Sequence, residues 1–238
     1  MLDSLKFVIA GAEKLNPEIR DAFSLKFNVP IYEGYGATET TPVASVNLPD
    51  KLDFSHWKIQ VGNRTGSVGM PLPGSSCMIV DPESHEELDT NVAGMVLIGG
   101  PQVMRGYLNN PEKTANATTI INETRWYITG DKGYIDEDGF LFIVDRYSRF
   151  AKLGGEMISL STVENGLKTA LGMIEYDIHV TAIPNEKKGE ELVVMSEAPL
   201  DKTTLQEALK TQGLSALSIP SQWSVSYTHL TLPTTSRV

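Results

Sequence analysis

The sequence has a single cysteine, Cys77, in 238 residues. That excludes an internal disulfide and any metal centre built from cysteine pairs, and leaves Cys77 as a small apolar packing residue. No run approaches the ~18 consecutive apolar residues of a membrane-spanning helix. Residues 1–7 lack the basic stretch and apolar core of a secretory signal, so a cytoplasmic location is expected. Positive charge is scarce, with 20 Lys and Arg against 30 Asp and Glu and a net charge of -10. A surface of that sign repels phosphate at long range, which disfavours nucleic acid and anionic membrane as non-specific partners, although a locally basic pocket stays open. No internal repeat and no low-complexity segment is visible. What remains is an ordinary globular composition, 41% hydrophobic, in a chain long enough for one large core or two modest domains.

Residues 5–10 (LKFVIA) form a short apolar run stopped by Gly11, which reads as a buried strand entering a tight turn. Residues 17–27 suit a helix and residues 28–32 (NVPIY) a second strand. Strand, helix, strand in that order predicts a parallel α/β unit, whose functional loops gather at the carboxyl ends of the strands. Between residues 66 and 106 the texture changes to short apolar segments, 77–80 and 94–98, separated by Pro, Gly and Asp-Pro turns, and is β-rich. Residues 133–136 and 140–144 flank a Glu-Asp-Gly turn and predict a hairpin. Further on, a helix is expected over 161–171 and strands over 179–183 and 192–196, with the charge-rich residues 185–191 as a solvated loop.

The most informative run is YEGYGATE, residues 32–39. Here a strand runs into closely spaced glycines, followed by an aromatic ring, a hydroxyl and a carboxylate. Gly34 and Gly36 would let backbone approach a ligand, Tyr35 would lie flat on a base, and Thr38 would hydrogen-bond a phosphate. Glu39 would hold Mg²⁺ through a hard oxygen. The plainer reading is a glycine-rich turn with Thr38 as a helix N-cap.

YGATETTP resembles the adenylate-binding signature of the superfamily that includes acyl-CoA synthetases, luciferases and peptide-synthetase adenylation domains. The remaining motifs follow in the family's order. Gly11, Ala12 and Glu13 resemble the segment beside the adenine, GSVGMPLPG (66–74) resembles the GxxGxPxPG stretch, and Gly106-Tyr107 with Asn110-Pro111 resembles GYxxNPxxT. WYITGD (126–131), then Gly139-Phe140 and Asp145-Arg146, complete the series. The resemblance implies an α/β fold: the C-terminal part of the large adenylate-forming domain over 1–144, including a β-rich subdomain, then a small α+β swinging domain over 145–223. It implies ATP, AMP and Mg²⁺ as cofactors. Asp131 is expected to accept from the two ribose hydroxyls, and Arg146 to reach the ribose and the phosphate charge. Without the resemblance, Asp131 is a turn carboxylate, Arg146 a surface arginine, Glu39 a helix-surface group, and Gly11 and Ala12 strand-end punctuation.

DRYSRFAKLGGEMISLSTVE (145–164) bears on the subfamily. The family hinge residue, usually Asp or Lys, is replaced by Ser148. Lys152 is expected near the thioester reaction centre, as opposed to a solvated lysine. Gly154 and Gly155 would let a pantetheine arm pass close to backbone, or else form a β-turn. FAKLGGEMISL departs from the usual acyl-CoA ligase pattern. It resembles the synthetase part of the bifunctional acyl-carrier-protein synthetase and 2-acylglycerophosphoethanolamine acyltransferase family, which links fatty acid and phospholipid metabolism. The implied partners are a fatty acid and acyl carrier protein, with CoA as the rival acceptor. A long-chain fatty acid-CoA ligase is the alternative enzyme, and a non-catalytic nucleotide-binding or interaction module the alternative of another class.

The family's Ser/Thr/Gly-rich phosphate loop and its terminal glycine-lysine motif do not occur in this sequence, and Lys202 and Lys210 lie in the wrong context to replace that lysine. The chain is therefore expected to be part of a larger enzyme and inactive in adenylation alone. Membrane association, placing the full-length protein at the inner membrane, is expected only through other domains. Residues 224–238 match nothing in the family and resemble a translated sequencing adapter, so His229 is not expected to act in catalysis.

Overall fold

Asn16 begins the first helix: its side-chain oxygen accepts a 2.8 Å bond from the Glu18 N–H, and Pro17 follows with the backbone torsion a first turn needs. The helix α1 (Pro17–Phe27) ends where Asn28 turns left-handed at φ 52. In this computed structural model, which describes residues 4–172, 178–185, 189–197 and 199–225, α1 connects β1 (Val8–Ala10) to β2 (Ile31–Tyr35). These strands are parallel neighbours, with Val8 opposite Ile31. The expected α/β unit is present with two corrections. β1 is shorter than residues 5–10 and half-buried at best, with Ile9 52% exposed, because it lies at the edge of its sheet. β2 starts three residues later than expected, because Asn28 is spent ending the helix.

The chain divides into two units, residues 1–144 and 145–238. In the first, β3 (Ser45–Val46) pairs antiparallel with β2 and with β6 (Met70–Pro71), closing a four-stranded sheet. β4 (Lys51–Asp53) and β5 (Lys58–Gln60) form a separate two-stranded ribbon. A second sheet holds β7 (Ser76–Val80), β8 (Gly94–Gly99), β10 (Thr124–Ile135) and β11 (Leu141–Arg146), in the order β11, β10, β8, β7. The short helix α2 (Pro111–Ala117) leads into β9 (Thr118–Ile121), which pairs with β10.

β8 is central, and its alternating side chains feed two apolar clusters. Val96 packs with Ile79 and Leu141, while Leu97 packs with Val80 and Trp126. Cys77 joins the first cluster, as its small apolar character implies, and burial pushes its thiol up to about 12. The β10–β11 turn is the one expected at Asp136 to Phe140: the Asp136 carboxylate accepts from the Phe140 N–H at 2.9 Å and from the Asp138 N–H at 3.0 Å. Leu141 bonds through its backbone to both Val68 and Gly69, fastening residues 66–74 to this hairpin. Gly69, at φ 85, cannot be otherwise, since an added Cβ would lie 1.9 Å from the Val46 carbonyl carbon.

In the second unit, β12 (Phe150–Leu153) and β13 (Glu156–Ser159) are joined by Gly154 and Gly155 at φ 57 and 92. Two consecutive positive torsions are what the type I′ form of a two-residue hairpin loop requires. Ser159 then caps α3 (Leu160–Leu171), which ends at the left-handed Gly172. β14 (Ile178–Asn185), β15 (Gly189–Ser196) and β16 (Gln222–Val225) form a sheet, and α4 (Lys202–Thr211) pairs with α3. Leu153, Val163, Leu167, Val180, Val194 and Leu209 form its core. The solvated loop expected over 185–191 is narrower, because β14 and β15 extend to Asn185 and Gly189. Residues 186–188 lie outside the described residues. So does the tail from residue 226, including His229; Ser224 and Val225 belong to β16, paired with Met195 and Ser196. Lys202 and Lys210 both lie on α4. No helix among the described residues is long and apolar enough to cross a membrane.

Candidate functional site

The parallel pair β1 and β2 ends with both carboxyl ends on one side, which sets the loop after β1 against the end of β2: an added Cβ on Gly11 would lie 3.1 Å from the Gly34 carbonyl oxygen. Gly11, Ala12 and Glu13 are exposed there, and Ala12 holds φ 75, an unusual torsion for a residue with a side chain. Gly36 follows β2. A Cβ on it would fall 1.9 Å from the Pro42 carbonyl oxygen, so the loop's own fold already demands glycine at this position.

Residues 38–40 form a single 3₁₀ turn. The expectation that Thr38 caps a helix is not met. The cap position is Ala37, and Thr40, fully buried, bonds the Ala37 N–H at 3.0 Å and its carbonyl at 2.9 Å. Thr38 itself is exposed. Glu39 is half-buried, and its Oε1 accepts from the Tyr107 hydroxyl at 2.7 Å. That bond is the main reason its carboxyl lies below the ordinary range, with weaker help from Tyr127 and Lys113. The same bond, and then burial, pushes the Tyr107 phenol up to about 12. Tyr127, buried beside Glu39, is also pushed up to about 12, chiefly by burial and then by the Glu39 charge.

Asp131 sits in an irregular stretch of β10. The register against β8 slips between Ile128 and Lys132, and Gly130 takes φ 74. A bulge re-aims side chains that a regular strand would fix. Here the Asp131 N–H donates to Thr129 Oγ1 at 3.0 Å, and Thr129 Oγ1 donates to the Val96 carbonyl at 2.8 Å. Asp131 is buried, and its Oδ2 accepts from the Tyr35 hydroxyl at 2.5 Å. Burial first, then the Asp131 charge, drives the Tyr35 phenol well above its usual value. Tyr127 feels both carboxylates, so Tyr35, Glu39, Tyr107, Tyr127 and Asp131 form one cluster.

The remaining expected residues belong to the second unit. Arg146 ends β11 and is exposed; Ser148 is the middle residue of a 3₁₀ turn over Tyr147–Arg149. Lys152 is exposed on β12, with its backbone N–H bonded to Glu190 at 2.5 Å. Gly154 and Gly155 form the hairpin turn described above. Glu164, buried on α3, receives the Val180 N–H at 2.7 Å and pairs with Arg149 at 2.5 Å, which joins helix to sheet.

No group of three or more His, Cys, Asp or Glu among the described residues would hold a metal by itself. One hard carboxylate, Glu39, fits a Mg²⁺ that takes its other ligands from phosphates and water. Tyr107, Tyr127 and Lys113 were not singled out by sequence reasoning. Tyr107 lay within a recognised motif, but nothing local marks its hydroxyl as the partner of a carboxylate 68 positions away.

Residues 1–108 match the family described as AMP-binding enzyme. The chain is 36% identical to 4-coumarate–CoA ligase 1 of Petroselinum crispum over 210 residues, covering 88% of this chain and 37% of that protein. It is 31% identical to the long-chain-fatty-acid–CoA ligase of Bacillus subtilis (strain 168) over 225 residues, 93% of this chain and 37% of that protein. The chain thus spans less than two fifths of the length of these relatives. Among solved structures, ATP-bound MatB from Rhodopseudomonas palustris superposes with a TM-score of 0.72 at 28% identity, covering 92% of this chain and 41% of that one. Unliganded O-succinylbenzoate coenzyme A synthetase from Bacillus subtilis gives 0.70 at 25% identity, over 94% and 45%.

Proposed function

We propose, for a chain that belongs to the AMP-binding enzyme superfamily, that it contributes the adenylate-binding part of an ATP-dependent acid–thiol ligase. The observation that carries this reading is the pair of carboxylates, Asp131 and Glu39, each held by a tyrosine hydroxyl within one cluster. Their jobs differ. Asp131 accepts from the ribose diol, with Tyr35 fixing its carboxylate while the phenol ring packs on the base. Glu39 would hold Mg²⁺, whose charge offsets that of the phosphates. Thr38, exposed at the start of the turn, donates to phosphate, and Gly11, Ala12, Glu13 and Gly36 border the nucleotide with backbone. Arg146 adds a guanidinium toward ribose and phosphate.

The reaction has two steps. A carboxylate oxygen of the acid attacks the α-phosphorus of ATP and pyrophosphate leaves. A thiol sulfur then attacks the acyl carbon, AMP leaves, and the thiol proton passes to solvent. Ser148 serves as the hinge between the two steps, Lys152 approaches the thioester centre, and Gly154 and Gly155 border the pantetheine arm.

The relatives named above favour CoA as acceptor and a fatty or aryl acid as substrate. FAKLGGEMISL, on the β12–β13 hairpin, favours acyl carrier protein, and with it a bifunctional synthetase of phospholipid metabolism. The test is pyrophosphate exchange and thioester formation by the full-length protein, with fatty and aryl acids offered against CoA and against carrier protein. Acid-dependent exchange supports adenylation, and the thiol that accumulates as thioester identifies the acceptor. No exchange with any acid would refute the reading.

A further inference from the structure

We propose that Tyr107 is a positioning residue for Glu39: its hydroxyl fixes the carboxylate plane in which a divalent cation on the nucleotide phosphates is met. The inference rests on the adenylate-site reading and goes beyond it by assigning a role to a residue in the loop before α2. Tyr107 is held at three points. Its N–H donates to Thr114 Oγ1 at 2.9 Å, the Lys113 ammonium lies 4.2 Å above its ring, and its hydroxyl reaches Glu39 Oε1 at 2.7 Å. Thr114 Oγ1 in turn donates to the Asn110 carbonyl at 2.9 Å, and Gly106 is packed so closely on Thr114 that a Cβ would meet its methyl at 2.7 Å. The phenol therefore has little freedom.

The turn bearing Glu39 is fastened to the same loop by backbone. The Met104 N–H donates to the Glu39 carbonyl at 2.8 Å, and Thr41 Oγ1 donates to the Gln102 carbonyl at 2.8 Å. Backbone and side chain of Glu39 are thus set by one scaffold, residues 102–114. A carboxylate offers roughly four acceptor positions, so one bond from Tyr107 orients the group and leaves capacity for a hard cation.

The experiment is calorimetric titration of the chain with ATP in the presence and absence of Mg²⁺, and with AMP in the absence of metal. Parent, Tyr107→Phe, Glu39→Gln and the double variant are compared, with thermal melting of each. The parent should gain ATP affinity from Mg²⁺. Tyr107→Phe should cut that gain about tenfold, as loss of a group orienting a metal ligand does, while metal-free AMP affinity holds. Glu39→Gln should abolish the gain, and the double variant should match Glu39→Gln, because Tyr107 acts through that carboxylate. The inference is overturned if Tyr107→Phe keeps the full gain, if its effect adds to that of Glu39→Gln, or if the parent binds AMP yet gains nothing from Mg²⁺. A tyrosine that merely ties two loops would lower the melting temperature and leave the metal gain intact. Failure of the parent to bind AMP at all would instead refute the adenylate-site reading itself.

Discussion

Each candidate carboxylate accepts from a tyrosine that is distant in sequence, Asp131 from Tyr35 across 96 positions and Glu39 from Tyr107 across 68. A phenol donor favours the ionised carboxylate, so Glu39 stays charged below its ordinary 4.5. Replacing Tyr107 by Phe should raise the Glu39 value toward 4.5, measurable by NMR titration of the side-chain carboxyl. Gly36→Ala is expected to destabilise the chain by about 1–3 kcal/mol in urea unfolding, the usual cost of forcing atoms into filled space, because the new methyl meets the Pro42 carbonyl. Glycine, threonine, glutamate and aspartate were legible as candidates because their chemistry is local. Tyr35 was legible too, as a ring for a base, but its bond to Asp131 and the part played by Tyr107 were not, since only the folded sheet brings β10 and the loop before α2 to the end of β2.

At the scale of elements, legibility followed the strength of local signals. α1 was readable from its proline start and apolar content, and β7, β8 and the β10–β11 turn from apolar runs bounded by Asp, Gly and Pro. α2 was not, although Asn110 caps it and Pro111 begins it, because PEKTANA shows no apolar face. α4 has Asp201 as its cap, and only Leu205 and Leu209 are buried, a stripe too short to read before the sheet that receives it is known. Ser159→Ala, which removes both the α3 cap and a 2.9 Å bond to Asp145, should cost about 1 kcal/mol in equilibrium unfolding. The β10–β11 turn predicts an acid response. Burial alone would raise Asp136, but bonds from the Phe140 N–H, Arg64 and the Asp138 N–H outweigh it and leave its carboxyl below the ordinary 3.8. Its stabilisation is therefore complete above pH 3.8 and is lost as pH falls through the lower folded value. Arg64→Ala should flatten that loss, seen as a smaller fall in urea midpoint on acidification below pH 3.8 than the parent shows.

At the scale of the whole molecule, the negative balance disfavoured non-specific nucleic-acid and membrane binding and the single cysteine excluded a disulfide or cysteine-built metal centre, while ordered motifs in both units pointed to adenylate chemistry. The first unit gathers Tyr35, Glu39, Tyr107, Tyr127 and Asp131 by itself, so the proposed nucleotide recognition can be tested on this chain without acid, thiol or metal. The most direct measurement is calorimetric titration with AMP of the parent and of Asp131→Asn, with melting curves to establish that both fold. Saturable binding by the parent, weakened about ten- to a hundredfold in Asp131→Asn as expected for loss of hydrogen bonds to a charged group, is the predicted result. No binding by the parent, or equal binding by both folded proteins, would contradict the assignment of this cluster as an adenylate site.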